Sequence, residues 1–239
     1  MKTEKPEILY EDNSIIVVYK PAGLATQTAR LTEPDLASFL KSYLGSSYLG
    51  IIHRLDQPVE GCLVFAKDKK SAGILTSALT KEKTLHKKYY CLSADSSEEP
   101  SEKTNEEITL MDFLKQDPQN HVMHVVSAQD MGAQKAVLRY HLIHRLESGI
   151  GLYHVEIQTG RFHQIRVQMA HAGHPLLGDA KYGGKRTLPS GEAVPNVCLC
   201  AYALSFRHPV TGKNMEFSIN PRGEAYAPFK EQGCFGGNL

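Results

Sequence analysis

Apolar positions along the chain fall into two rhythms. Runs of short period open it, "EILY" at 7–10 and "SIIVVYK" at 14–20, joined by the turn residues "EDN", which predicts a β-hairpin. A Pro-Gly loop, "KPAGLATQTA", follows. "LTEPDLASFLKSYLG" then predicts a helix with Thr32 as cap, Asp35 three residues on, Pro34 in the first turn and Gly45 as the stop. Its apolar face is Leu36, Phe39, Leu40, Tyr43 and Leu44. Two strand-like runs, Ile51-Ile52 and Cys62 to Ala66, flank the polar "HRLDQPVEG". "DKKSAGILTSALTKE" predicts a second helix capped by Asp68 and weakened by Gly73.

Further strands are expected at "LHKKYYCLS", "HVMHVV", "KAVLRYHLI" and "GLYHVEIQT", the last two joined by an "ESG" turn. "RFHQIRVQMAHAG" reads as a third helix, with Phe162, Ile165 and Met169 facing inward and Gly173 at its end. After the loop "GHPLLGDAKYGGK" come two more strands, "NVCLCAYALSF" and "NMEFSI". The polar, acidic stretch 94–107 is expected to be a mobile surface loop. With no repeat and no interior linker, the expectation is one domain over residues 1–239. Its class is α+β: a mixed, mostly antiparallel sheet with flanking helices.

Composition narrows this picture. The 239 residues are 41% hydrophobic and 22% charged, enough for a substantial core. The longest apolar runs are five or six residues, far short of a membrane span, and the N-terminus lacks a secretion or transit pattern, so a cytoplasmic protein is expected. The five cysteines include no CxxC pair and read as reduced core thiols. Net charge is only +1, but residues 94–119 carry a net −6, which leaves +7 for the rest. Lysines gather at 67–70 and 81–88, and Arg161, Arg166, Lys181, Lys185 and Arg186 make a second basic stretch. A basic face and a solvated surface of mixed charge fit this charge pattern equally.

Candidate chemistry begins with "IIHRLDQPVEGCLVFAK", which puts Arg54 and Asp56 between two apolar runs. Either they occupy a solvated loop, where an ion-paired or capping Asp is ordinary, or a carboxylate is needed there. A second polar region, 159–183, converges with it. Arg166 follows Phe162 at i+4 and precedes Met169 at i+3, so it borders a buried face and needs an anionic partner. Asp56 is the candidate. Such a pair would favour ionised Asp56, as a nucleophile or base requires.

In one order the chain holds "KPAGL", "HRLDxxxxG…AK", "KKYY", "TGRxHQIR", "GHPLLGDxxYG" and "LSFRHP.TGK". Together these resemble the RluA family of RNA pseudouridine synthases over roughly residues 14–220. The resemblance implies a pseudouridine synthase-like fold, an RNA substrate of ribosomal or transfer type, and no cofactor or metal. It assigns Asp56 as the catalytic aspartate and Arg54 as the arginine that fills the gap left by a flipped uridine. Tyr89 becomes the tyrosine that stacks on the base, with Tyr90 beside it as a rival, and Arg166 the arginine that pairs with the aspartate. Lys20, Arg161 and His163 take supporting places in substrate binding.

The chemistry asks for these residue types. Uridine becomes pseudouridine when the N1–C1′ bond breaks, the base turns, and C5 joins C1′. A carboxylate adds to C1′ or C6, or takes the C2′ proton to give a glycal, and the resemblance favours the last. The base must leave its stack at a cost of about a few kcal/mol, which an inserted Arg offsets. Lysines along 67–88 are expected to hold the phosphate backbone of the RNA.

The chain departs from the pattern in four places. Val59 and Glu60 replace a common Thr-Ser pair, and Glu60 is expected to add a negative charge near an anionic substrate. Cys200 replaces a frequent His. No S4 extension precedes the first hairpin, so target choice is expected to rest on the catalytic domain or on partners. The acidic 94–107 loop is expected to project away from RNA.

Competing signals are weaker. "HRLE" at 144–147 echoes HRLD, but Glu147 falls in a tight turn and reads as surface. The HxxH pairs at 121/124 and 141/144 lie in strand-like runs, where i and i+3 point to opposite faces. His171 and His174 lack the Glu of an HExxH site. A non-catalytic RNA-binding or ribosome-assembly module on the same fold is the main alternative, and a small-substrate glycosyl hydrolase using Asp56 comes third. A monomer is favoured, with no membrane partner.

Overall fold

In the computed structural model, residues 5–29, 33–94 and 106–235 are described. Their elements in chain order are β1 (Glu7–Glu11), β2 (Ile15–Lys20), α1 (Leu36–Leu44), β3 (Gly50–Ile51), β4 (Glu60–Ala66), α2 (Lys69–Thr80), β5 (His86–Ser93), β6 (Ile108–Asp117), β7 (Val122–Val126), β8 (Gln134–Arg145), β9 (Gly151–Ile157), α3 (Gln164–His171), β10 (Leu199–Arg207), β11 (Asn214–Ser218) and α4 (Ala227–Glu231). The class is α+β, as the sequence pattern predicts. The described residues gather into two compact units. One holds those up to Lys87 and Cys200–Pro221, the other Lys88–Leu199 and those from Arg222 on.

In the first unit the strand order is β1-β2-β4-β10, with β3 on β4 and β11 on β10. β2 and β4 are buried at every position, which is why both read as continuous apolar runs rather than alternating ones. Their pairing is antiparallel, with Ile15 opposite Ala66 and Lys20 opposite Gly61. β10 runs parallel to β4 and makes the sheet mixed. Gly61 belongs there for two reasons: its φ is +141°, and a Cβ would come within 2.6 Å of the Ala201 backbone. One core cluster joins Ile15, Val17, Ile52, Cys62 and Val64 to Leu75 and Ala78 of α2 and to Leu204 and Phe206 of β10.

Of the two helices of this unit, α2 is capped as expected and α1 differs at its start. α2 is capped by Asp68, whose carboxylate accepts the Ser71 N–H at 2.8 Å. α1 begins one turn later than predicted, because Asp35 is its cap and accepts the Ser38 N–H at 2.7 Å. Thr32, the expected cap, lies outside the described residues, as do residues 95–105 of the acidic stretch. Leu36 and Leu40 are fully buried, but Phe39 and Tyr43 are 40% and 54% exposed, so the apolar face is narrower than the sequence suggests.

The second unit is a run of antiparallel neighbours, β5-β9-β8-β6-β7. Its register sets Tyr89 opposite Val155 and Tyr90 opposite His154. α3 lies here with six consecutive residues buried, Gln164 to Met169, three of them polar. Ile165 and Met169 face inward as predicted. Phe162 does not: it precedes the helix and is 42% exposed.

Candidate active site

In the first unit, burial alternates along the HRLD segment: His53 and Leu55 are buried, Arg54 is exposed and Asp56 is half-buried. Alternation of this kind anchors the loop by its apolar residues while the charged ones point outward. Leu55 is fixed twice by Thr26, whose hydroxyl donates to the Leu55 carbonyl at 2.8 Å and accepts its N–H at 3.1 Å. The Asp56 carbonyl accepts the Val59 N–H at 3.0 Å and closes the turn.

Lys20 ties a second loop to this one. It is completely buried, and its ammonium donates to the carbonyls of Pro21 at 3.0 Å, Leu24 at 2.7 Å and Gln57 at 3.2 Å. Three acceptors match the three N–H bonds of an ammonium. Burial pulls Lys20 down to about 7, while the charges of Asp56 and Glu60 hold it up. The loops are also joined by the backbone, since the Gly23 N–H donates to the Gln57 carbonyl at 2.8 Å. Lys20 therefore fixes the base of the Asp56 loop.

Glu60 is turned inward. It is 5% exposed and accepts the Tyr19 hydroxyl at 2.8 Å. The expectation that it places a charge beside an anionic substrate gives way to an interior role, because β4 is covered on both faces. Cys200 is likewise buried, opposite Glu60 in the parallel pair.

In the second unit, Arg166 is 4% exposed and its guanidinium grips Asp179 edge-on, Nε to Oδ2 and Nη2 to Oδ1, both at 2.7 Å. Asp179 of the "GDAKYG" loop is thus one anionic partner of this guanidinium. The same guanidinium lies 5.3 Å from the centre of the Tyr182 ring. Tyr182 accepts the Met123 N–H at 2.8 Å and meets His163 Nδ1 at 2.9 Å. Burial, then the positive charges of Arg166 and Lys181, push His163 down to about 3, so its imidazole is neutral. His163 has a left-handed backbone, φ +50°, at the start of α3, and Phe162 stacks on it at 3.8 Å. Gly178 allows the loop its approach: its φ is +84°, and a Cβ would collide with the Asn196 carbonyl.

Asp179 and Tyr182 are the site residues that sequence reasoning passed over. Both lie in the quoted motif "GHPLLGDxxYG", and their place in that motif is the one signal the sequence holds for them. Arg161 is exposed, with Nε donating to the Lys135 carbonyl at 3.1 Å.

Tyr89 and Tyr90 follow each other in β5 and so face opposite ways. Tyr90 packs against Phe235 at 5.1 Å and His154 at 6.4 Å, committed to an aromatic cluster. Tyr89 is 5% exposed. Glu147 is exposed in its turn. Among the described residues no three His, Cys, Asp or Glu side chains are grouped to hold a metal, and no helix is long and apolar enough to cross a membrane.

Comparison with known proteins adds the family. The profile described as "RNA pseudouridylate synthase" matches residues 14–171. The chain is 33% identical over 213 residues to "Uncharacterized RNA pseudouridine synthase YhcT" of Bacillus subtilis, covering 86% of this chain and 65% of that one. It is 34% identical to "Ribosomal large subunit pseudouridine synthase D" of Neisseria meningitidis over 88% of this chain and 57% of the relative. For the protein of the same name from Zymomonas mobilis the figures are 31%, 94% and 72%. The chain thus spans roughly two thirds of the length of the curated relatives it matches. Among solved structures, "Human RNA Pseudouridylate Synthase Domain Containing 4" superposes with a TM-score of 0.71 at 22% identity, covering 95% of this chain and 93% of that one, which shows the same fold. The motif order and the profile match agree, and the chain belongs to the RNA pseudouridylate synthase family.

Proposed function

We propose that this protein isomerises uridine to pseudouridine in structured RNA. The observation that carries the reading is Asp56, half-buried in a loop whose neighbours Leu55 and Gln57 are tied to buried Thr26 and Lys20. A carboxylate held this way, in a chain of this family, serves as nucleophile or base toward a flipped nucleotide. Tyr89 takes the place under the base, Arg54 the gap in the stack, and Arg166 the cation that favours an ionised carboxylate. Lys20, Arg161 and His163 support them. The chain acts as one catalytic domain, a cytoplasmic monomer that needs no cofactor.

Relatives named as ribosomal large subunit enzymes make ribosomal RNA the first substrate pool to try, with transfer RNA second. The test is tritium release from unmodified RNA labelled at uridine C5, comparing wild type with Asp56→Asn in each pool. Release by wild type alone supports the reading. RNA binding without release from either pool would favour a non-catalytic module instead.

A further inference from the structure

Two aromatic residues of α1 stand in solvent where the sequence pattern predicts a buried face: Phe39 is 40% and Tyr43 54% exposed. They are one turn apart and so leave the same side of the helix. Apolar side chains grouped on a surface point to a contact, where single ones do not.

Beside Tyr43 the first unit has a cavity of about 360 Å³. Its lining includes Glu11 and Asn13 at the β1–β2 turn, Tyr43 near the end of α1, Tyr48 ahead of β3, and Lys67 just past β4. All five belong to the first unit. The Asp56 turn leads into the start of β4 and Lys67 follows its end. Seven strand residues span about 20 Å, so the cavity and the Asp56 turn lie at opposite ends of β4.

The charges in the cavity cancel. Lys67 Nζ meets Glu11 Oε1 at 2.7 Å and also donates to the Asp12 carbonyl at 2.6 Å. The Lys67 contact holds Glu11 below the usual carboxylate range, and the Tyr43 hydroxyl donates to the same carboxylate. That bond fixes the Tyr43 ring beside the cavity. A phosphate entering here would meet Glu11, and an ammonium would meet Lys67, so neither is favoured. A neutral, flat group suits the space better: it stacks on a ring by its face and bonds to the Asn13 amide by its edge. A nucleobase is such a group.

We propose that this cavity receives one unstacked base of the substrate RNA, stacked on Tyr43 and about a β4 length away from the reacting uridine. The inference rests on the RNA substrate proposed above. A base held so far from Asp56 takes no part in the chemistry. It adds affinity for RNAs that present a splayed nucleotide at that distance, and so bears on target choice.

The protein has no tryptophan, so Tyr43→Trp supplies a single fluorophore at the cavity. Its emission is followed as in-vitro-transcribed large-subunit ribosomal RNA or, separately, guanosine or uridine monophosphate is added. Dissociation constants for the same RNA are measured across a salt series for wild type, Tyr43→Ala, Tyr43→Phe and the exposed control Ile74→Ala, with thermal midpoints alongside. The RNA should quench the emission strongly. Tyr43→Ala should weaken binding by roughly 5- to 150-fold at every salt concentration, with an unchanged log–log slope because a stack releases no counterion. Tyr43→Phe keeps the ring and should keep most of the affinity, and Ile74→Ala should match wild type. Thermal midpoints should stay near that of wild type. Emission that RNA leaves unquenched overturns the proposal, as does wild-type affinity in Tyr43→Ala. Quenching by a monophosphate but not by RNA overturns it in favour of a free-nucleotide site, and a lowered midpoint in Tyr43→Ala marks the ring as structural. Tritium release, scored on the same RNA, reports on the proposed function. Quenching and affinity loss without any release by wild type sink the function and leave the base site standing, whereas release by wild type with no effect at Tyr43 sinks the base site alone.

Discussion

Arg166 and Asp179 meet through two parallel hydrogen bonds of 2.7 Å, with the guanidinium 4% and the carboxylate 1% exposed. A pair this deep adds little stability over apolar residues of the same size, yet removing one member strands the other. Asp179→Asn should therefore lower unfolding free energy by about 3–5 kcal/mol. It should also cut turnover, since Arg166 loses its anchor. Urea titration and tritium release check both. Arg166→Met with Asp179→Leu should recover most of the stability and none of the turnover.

Asp56→Asn keeps the shape of the side chain and removes its charge. Turnover should fall by about 10²–10⁴-fold or more, the range of a lost general base or nucleophile. RNA affinity should hold, because Arg54 and the lysines remain. Single-turnover kinetics beside a binding titration separate the two. Loss of binding in step with turnover would contradict a chemical role for this carboxylate.

His163 makes stability depend on pH. Its imidazole is held down to about 3 in the folded protein, against an ordinary 6.5. Between those values the unfolded chain takes up a proton that the folded chain refuses, so stability present above pH 6.5 drains away on acidification. From pH 6.5 to 4, wild type should lose up to about 3 kcal/mol more than His163→Asn. Equal slopes in urea unfolding across that range would remove His163 from the account. His53 acts in the same direction and is common to both proteins.

Glu147→Gln tests the echo of the HRLD motif. The side chain is exposed in a turn, so the substitution should change stability by no more than about 0.5 kcal/mol. Turnover should be that of wild type. An inactive Glu147→Gln would mean that the catalytic acid has been assigned to the wrong HRL segment.

Where the hydrophobic pattern was strong, the fold could be read from it. β1, β2 and β4 come from apolar runs with turn residues between them, and Asp68 announces α2. β6 escaped, because half of Ile108–Asp117 is exposed and its apolar residues do not alternate. α4 is only five residues long, too short to show a period. Asp35 looked like the third residue of a capping box and is itself the cap. In the site, Asp56 and Arg166 were legible as charges in apolar surroundings, and Lys20 only through the family motif "KPAGL". Asp179 was not, since a short polar loop gives no hint that its carboxylate will be buried. Tertiary contact alone decides that, as it decides that Glu60 turns to Tyr19 and away from solvent.

Lys20 has a consequence beyond its bonding. Burial brings it down to about 7, far below an ordinary lysine, and once released from its three carbonyls such an amine loses its proton and attacks electrophiles readily. The same side chain has no surface open to a reagent. In the native protein, acylating labels should mark exposed lysines such as Lys41 and Lys213 first and reach Lys20 only when the "KPAGL" and "HRLDQ" loops part. The rate at which Lys20 becomes labelled, read by mass spectrometry, is then a clock for how often that junction opens.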